Sequence, residues 1–123
     1  MRLGRLTRSE EFQRLRRGKR VDAEFGRLQG ISRPCGPGEA AMLRFGLVVP
    51  KRLGNAPQRN RIKRRLRDGM RAQLGGKRRS VPTSMDVGIF PTARVLAMDF
   101  EALVAQLDSS LAGLMRKLGQ LPI

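Results

Sequence analysis

Between residues 51 and 67 the chain reads Lys51-Arg52-Leu53-Gly54-Asn55-Ala56-Pro57-Gln58-Arg59-Asn60-Arg61-Ile62-Lys63-Arg64-Arg65-Leu66-Arg67. Cations outnumber every other residue type there, yet Ile62 and Leu66 keep the four-residue step of a helix. Arg exceeds Lys, and the planar fork of a guanidinium matches the oxygens of a phosphate. Capture of a polyanion is the chemistry such a segment can do. A charge run is usually a solvated helix face, but then acids would balance it. Asp68 is the only carboxylate between Lys51 and Arg79, and like charges one turn apart repel by about 0.2–0.5 kcal/mol each.

Catalytic sets do not accompany this segment. The chain has no His, Trp or Tyr, which removes the commonest general base, the commonest metal ligand and most base-stacking platforms. It has no HxE…CxxC set, no GxGxxG and no Walker loop. Asp86, Asp99 and Asp108 are dispersed and read as helix-cap and surface positions. A metal-carboxylate cluster for phosphodiester hydrolysis is therefore not expected, and neither catalytic nor metal-ligating residues are assigned. The chain reads as a binder.

The whole chain supports that reading. With 123 residues it suits one domain, residues 1–123, and its formal net charge is +16. Cations and carboxylates number eight and two over residues 1–20, and three and three over 21–50. They number twelve and one over 51–79, and three and four over 80–123. An excess so localised marks an anion-binding surface. A lone Cys35 excludes a disulfide framework. No apolar run reaches membrane-spanning length and no apolar h-region opens the chain, so a cytoplasmic protein without a membrane partner is expected.

The elements that must position the basic segment follow from periodicity. Residues 7–17 predict a short helix, with a Thr7/Glu10 capping box, Phe12 and Leu15 on one face and Gly18 as its stop. Residues 20–32 predict a strand through Val21, Ala23 and Phe25; its phase slips at Leu28 and Ile31, which suggests a bulge at Gly26 or Gly30. A Gly/Pro turn occupies 33–41. Residues 42–49 alternate clearly, with Leu43, Phe45, Leu47 and Val49 on one face and Arg44, Gly46 and Val48 on the other. After a loop over 51–58, an additional short strand around 50–55 being the alternative, a helix runs from about 58 to 74. Ile62, Leu66, Met70 and Leu74 form its buried stripe. Asn60, Arg64, Arg67 and Arg71 fall within about 60° of one another on another face, directed at phosphate.

Lys77-Arg78-Arg79 forms a basic loop, residues 87–90 a short strand, and Asp99 caps a last helix. That helix carries the stripe Phe100, Leu103, Val104, Leu107, Leu111, Leu114, Met115 and Leu118. The order α-β-β-(β)-α-β-α implies an α/β (α+β) two-layer sandwich. Its small mixed central sheet has about four strands and carries three helices. For Phe12 and Phe45 two readings stand: core residue, or lining of a groove where unpaired nucleotides stack. The absence of zinc modules, zipper heptads and a helix preceding the basic one favours RNA over DNA.

The spacing of Gly54-Asn55-Ala56 to Arg59-Asn60-Arg61, continued by Lys63, Arg64 and Arg67, resembles the "RNR" motif of the bacterial ribonuclease P protein subunit. Residues 5–20 resemble its N-terminal helix with Phe12. Arg44-Phe45-Gly46-Leu47-Val48-Val49 and Asp86-Val87-Gly88-Ile89-Phe90 resemble its strands before and after the motif. The resemblance implies a left-handed βαβ crossover, against the usual hand, and membership of a ribonucleoprotein endoribonuclease. In such an enzyme a catalytic RNA subunit does the chemistry, with Mg²⁺ bound mainly by RNA, and removes the 5′ leader of precursor tRNA. One protein per RNA is implied. Arg59, Asn60, Arg61, Lys63, Arg64 and Arg67 would contact that RNA, supported by Lys51, Arg52 and Asn55. Phe12, Arg44 and Val48 would line the leader cleft.

The chain departs from the pattern in three places. Val49-Pro50 stands where a Ser is usual, and Pro57 replaces a Val in the turn. Pro91-Thr92-Ala93 replaces Ala-Arg-Pro, leaving Arg94 two positions out of register. The alternatives are a ribosomal or assembly RNA-binding protein, a stand-alone nuclease and a DNA-binding regulator.

Overall fold

Alternation along β4 (Met42–Leu47) sets the architecture, because it gives the sheet two different faces. Leu43 and Phe45 point into the main core, while Arg44 points to the other side. The computed structural model describes residues 2–6, 9–33, 42–75 and 84–119. The elements run β1 (Arg2–Arg5), α1 (Ser9–Arg14), β2 (Lys19–Ala23), β3 (Gly26–Arg33), β4, α2 (Ala56–Gly75), β5 (Ser84–Pro91) and α3 (Phe100–Lys117). Short 3-10 turns cover Leu15–Arg17, Lys51–Leu53 and Ala93–Leu96. The expected cap residue Thr7, the side chain of Leu74, the loop with Cys35 and the basic run Lys77-Arg78-Arg79 lie outside the described residues.

The sheet order is β1-β4-β5-β3-β2. β4 is parallel to both β1 and β5, whereas β3 is antiparallel to β5 and β2. Strands β4 and β5 are thus parallel neighbours joined through α2. On one face lie α2 and α3, packed on each other, with α3 also against β2 and β3. Ile62, Leu66 and Met70 of α2 and Leu103, Leu107 and Leu111 of α3 are fully buried there with Phe25, Leu28, Met85, Val87 and Ile89. Each such side chain contributes about 1.5–3 kcal/mol, so the apolar edge of α2 holds its cationic remainder in place.

The structure revises several expected elements. The strand expected over 20–32 is a hairpin, turning at Glu24-Phe25. Val21 pairs with Leu28, so facing residues change parity across the turn, and that is the phase slip. No bulge is needed: the β2–β3 and β3–β5 registers run unbroken through Gly26 and Gly30. The short strand suggested around 50–55 is the 3-10 turn Lys51–Leu53. Strand β1, four residues with no periodicity of their own, is held by pairing with β4. Phe100, placed in the α3 stripe, is 39% exposed and carries the Arg65 guanidinium at 6.0 Å. Among the described residues no helix is long and apolar enough to cross a membrane.

Candidate nucleic-acid interface

Helix α2 begins with a reciprocal cap. The Gln58 backbone N–H donates to Asn55 Oδ1 and the Asn55 N–H donates to Gln58 Oε1, each at 2.9 Å. This is a capping box with Asn and Gln in the two roles, satisfying two donors the helix cannot. Gly54 precedes it at φ 144°, and a Cβ there would lie 2.3 Å from Gln58 Oε1. Only glycine fits both the backbone and the space. Pro57 falls in the first helical turn, where its missing N–H costs nothing, and not in the loop. Asn55 thus acts through the helix end it fixes. Asn55→Ala is expected to lower stability by about 1 kcal/mol, read as a drop in the urea midpoint at unchanged slope.

Beyond the cap, the faces separate as the 100° rotation requires. Asn60, Arg61, Arg64 and Arg71 are exposed, as are Lys51 and Arg52 on the turn before the helix. Arg59, Lys63 and Arg67 are half-buried at the margins of the apolar stripe. Arg65 belongs to the fold: it donates to the Met98 carbonyl and lies against Phe100. Arg71 stands 3.9 Å from Asp68, both exposed, a pair of negligible strength in solvent.

The opposite face of the sheet carries a second feature. Phe45 is 8% exposed within the main core. Phe12 of α1 is only half-buried and packs over Gly46 of β4, where a Cβ would lie 2.4 Å from Phe12 Cζ. Beside this contact lies a groove of about 330 Å³, lined by Phe12, Arg16, Gln29, Val48 and Phe90 among others. A wider stretch of about 490 Å³ continues it past Val48 and Phe90 to Pro50, Arg52 and Thr92. The groove therefore opens onto Arg52, next to the start of the basic helix.

Phe12 and Val48 both line this groove. Arg44 is committed elsewhere. Its Nη2 and Nε reach Asp86 at 2.6 and 2.8 Å, and its Nη1 lies 2.8 Å from Glu11 Oε2. Arg33 Nε adds a 3.2 Å bond to Asp86. Asp86 is a buried strand residue, not a surface one as its sequence position suggests. Burial pushes its pKa up, but hydrogen bonds and charge from Arg44 and Arg33 outweigh this and hold it below the ordinary carboxylate value. The same bonds raise Arg44. Arg94 pairs with Glu24 at 3.5 Å, and Thr92 ties the β2–β3 turn through the Phe25 and Glu24 carbonyls.

Arg16, Arg27, Gln29 and Phe90 also line the groove, although local periodicity does not mark them as groove residues. The signal available was the alternation Gly88-Ile89-Phe90, which turns Phe90 away from the core, and the shifted parity of β3. Asp99 stands at the N-cap position of α3 without a side-chain capping bond. Among the described residues no three His, Cys, Asp or Glu side chains gather as a metal site.

A family model described as Ribonuclease P matches residues 1–115. The chain belongs to the ribonuclease P protein family. It is 37% identical over 87 residues to the "Ribonuclease P protein component" of Thermobifida fusca, covering 71% of this chain and 56% of that protein. With the protein of the same name from Roseiflexus sp. it shares 43% identity over 68 residues, 54% of this chain and 52% of the relative. The chain thus spans about half the length of these relatives. Among solved structures, the "RNase P protein from Thermotoga maritima" superposes with a TM-score of 0.67 at 25% identity, covering 91% of this chain and 96% of that one. A Staphylococcus aureus RNase P protein mutant "with defective mRNA degradation activity" gives 0.64 at 22% identity, covering 95% and 89%. The α+β fold with three helices on a mixed sheet is thus the family's fold, and the motif that carries the resemblance forms the cap and exposed face of α2.

Proposed function

We propose that this chain is the protein subunit of a ribonuclease P, assisting a catalytic RNA in endonucleolytic removal of the 5′ leader from precursor tRNA. The observation that carries this reading is the cationic-aromatic groove that opens beside the basic helix. Lys51, Arg52, Arg59, Asn60, Arg61, Lys63, Arg64, Arg67 and Arg71 hold the catalytic RNA, with Asn55 fixing the helix end. Phe12 and Val48 receive the unpaired leader, where a π-face accepts any base by stacking. Neutralising charge between two polyanions lets them approach each other.

Among the described residues no group of side chains fits a resident metal. Asp86, the most deeply buried carboxylate described, is answered by two guanidinium groups. The Mg²⁺ of the holoenzyme is accordingly assigned to the RNA, with one protein per RNA and the assembly in the cytoplasm. Reconstitution tests the reading: leader cleavage at low Mg²⁺ by the cognate catalytic RNA, with and without the protein. Clear stimulation is expected, and none from the protein alone. An RNA that cleaves equally well without the protein would sink the assignment.

A further inference from the structure

Arg27 sits where the two stretches of the groove meet and lines both, as do Val48 and Phe90. Its guanidinium carbon lies 4.5 Å from the centroid of the Phe90 ring. That stack holds a planar cation against one wall and restricts its rotation. No carboxylate pairs with Arg27 among the described residues. Asp22, its cross-strand partner, lies 3.8 Å from Arg20 instead. Arg27 Nε is buried without a hydrogen-bond partner. The side chain is therefore oriented by an aromatic contact, while its donors are not consumed by an ion pair.

In a chain without Trp or Tyr, the groove's aromatic surfaces are Phe12 and Phe90. Arg27, which lines the groove with them, leaves its guanidinium fork to be met by the edge of a base. Arginine offers donors only, in a fork, and the base edge that answers a donor fork is the O6/N7 acceptor pair of guanine. Adenine places its N6 donor where an acceptor is needed, and uracil sets its N3–H donor between its two carbonyls. Cytosine, whose N3 and O2 are adjacent acceptors on an unpaired edge, is the competitor that the four-base comparison must separate from guanine. Gln29, which lines the same groove, would favour adenine through N6 and N7. The base preferred thus separates a guanidinium reader from Gln29, and substitution of Arg27 separates it from Arg16.

We propose that Arg27, braced on Phe90, is a specificity-determining residue that selects guanine at one position of the single-stranded leader. This rests on the reading of the groove as the leader cleft. The test uses the reconstituted holoenzyme and precursor tRNAs whose leader positions are changed in turn to each of the four bases. Guanine at one position should raise kcat/KM roughly tenfold over the other bases. Arg27→Ala should level the four. Arg27→Lys keeps the charge but not the fork or the stack, and should level them too while weakening binding less. A preference for adenine, a guanine preference that survives in both variants, or leader dependence without any base preference overturns the proposal and leaves the cleft intact. If leaderless and leader-bearing tRNA bind equally, the cleft reading itself fails as well.

Discussion

Asp86→Ala is expected to cost about 3–5 kcal/mol of folding stability, the scale for breaking a buried ion pair by removing one partner. The Asp86 side chain is 3% exposed. It joins three strands and a helix: Arg44 reaches it from β4 and Arg33 from β3, and Arg44 carries the chain of charge on to Glu11 of α1. Alanine would strip Arg33 and Arg44 of that carboxylate on the face where α1 must dock. Desolvation alone disfavours the charged carboxylate, and the guanidinium bonds reverse the balance. A carboxyl held below its ordinary value stabilises the fold above the unfolded pKa of about 3.9. That contribution is lost as pH falls through the lower, folded value. The gap in urea midpoint between wild type and Asp86→Ala should therefore be wide at pH 7 and close under acid conditions. Asp86→Asn, which keeps the shape, isolates the charge. A variant within about 1 kcal/mol of wild type at pH 7 would show that the cluster is not what joins α1 to the sheet.

The second large effect is on salt. If α2 and its flanks neutralise six to ten phosphates, affinity for the catalytic RNA should fall on the order of 10³–10⁵ between 50 and 200 mM salt. Fluorescence anisotropy across that range measures it directly. Arg64→Ala should weaken binding and shallow the log–log slope by about 0.7–0.9 for one lost phosphate. Arg65→Ala should leave the slope unchanged and lower stability instead, because Arg65 is bonded to the Met98 carbonyl and packed by Phe100. An unchanged slope for Arg64→Ala would place that side chain off the phosphate surface. The two neighbours have the same residue type and the same local charge; 100° of helix rotation separates their roles.

That contrast marks where local pattern stops being informative. Helix α2 was legible because both of its faces are written within one segment. The four-residue step of Ile62, Leu66 and Met70 names the buried edge, and Asn60, Arg64, Arg67 and Arg71 follow from it. Leu43 and Phe45 on β4, and most of the α3 stripe, were legible for the same reason. The start of α2 was expected about two residues late, near 58, because the Asn55–Gln58 cap that begins the helix at Ala56 was not read from the sequence.

Arg44 could not be assigned that way. Alternation put it on the outer face correctly, but its engagement with Asp86, 42 residues on, depends on β4 and β5 pairing in register. Phe12 and Phe45 could not be sorted either, since whether Phe12 covers a core or borders a groove depends on how closely α1 approaches Gly46. The hairpin of β2 and β3 was hidden because Glu24-Phe25 lacks the Asn-Gly signature of tight turns. Its parity change is what brings Arg27 and Gln29 beside Phe90. The sequence by itself determined a basic helix with one buried edge, the localised positive charge that suits it to a polyanion, and the family. Only the tertiary structure decided which side chains form the groove, because groove walls come from strands distant in sequence, and their adjacency is set by long-range pairing that no local period encodes.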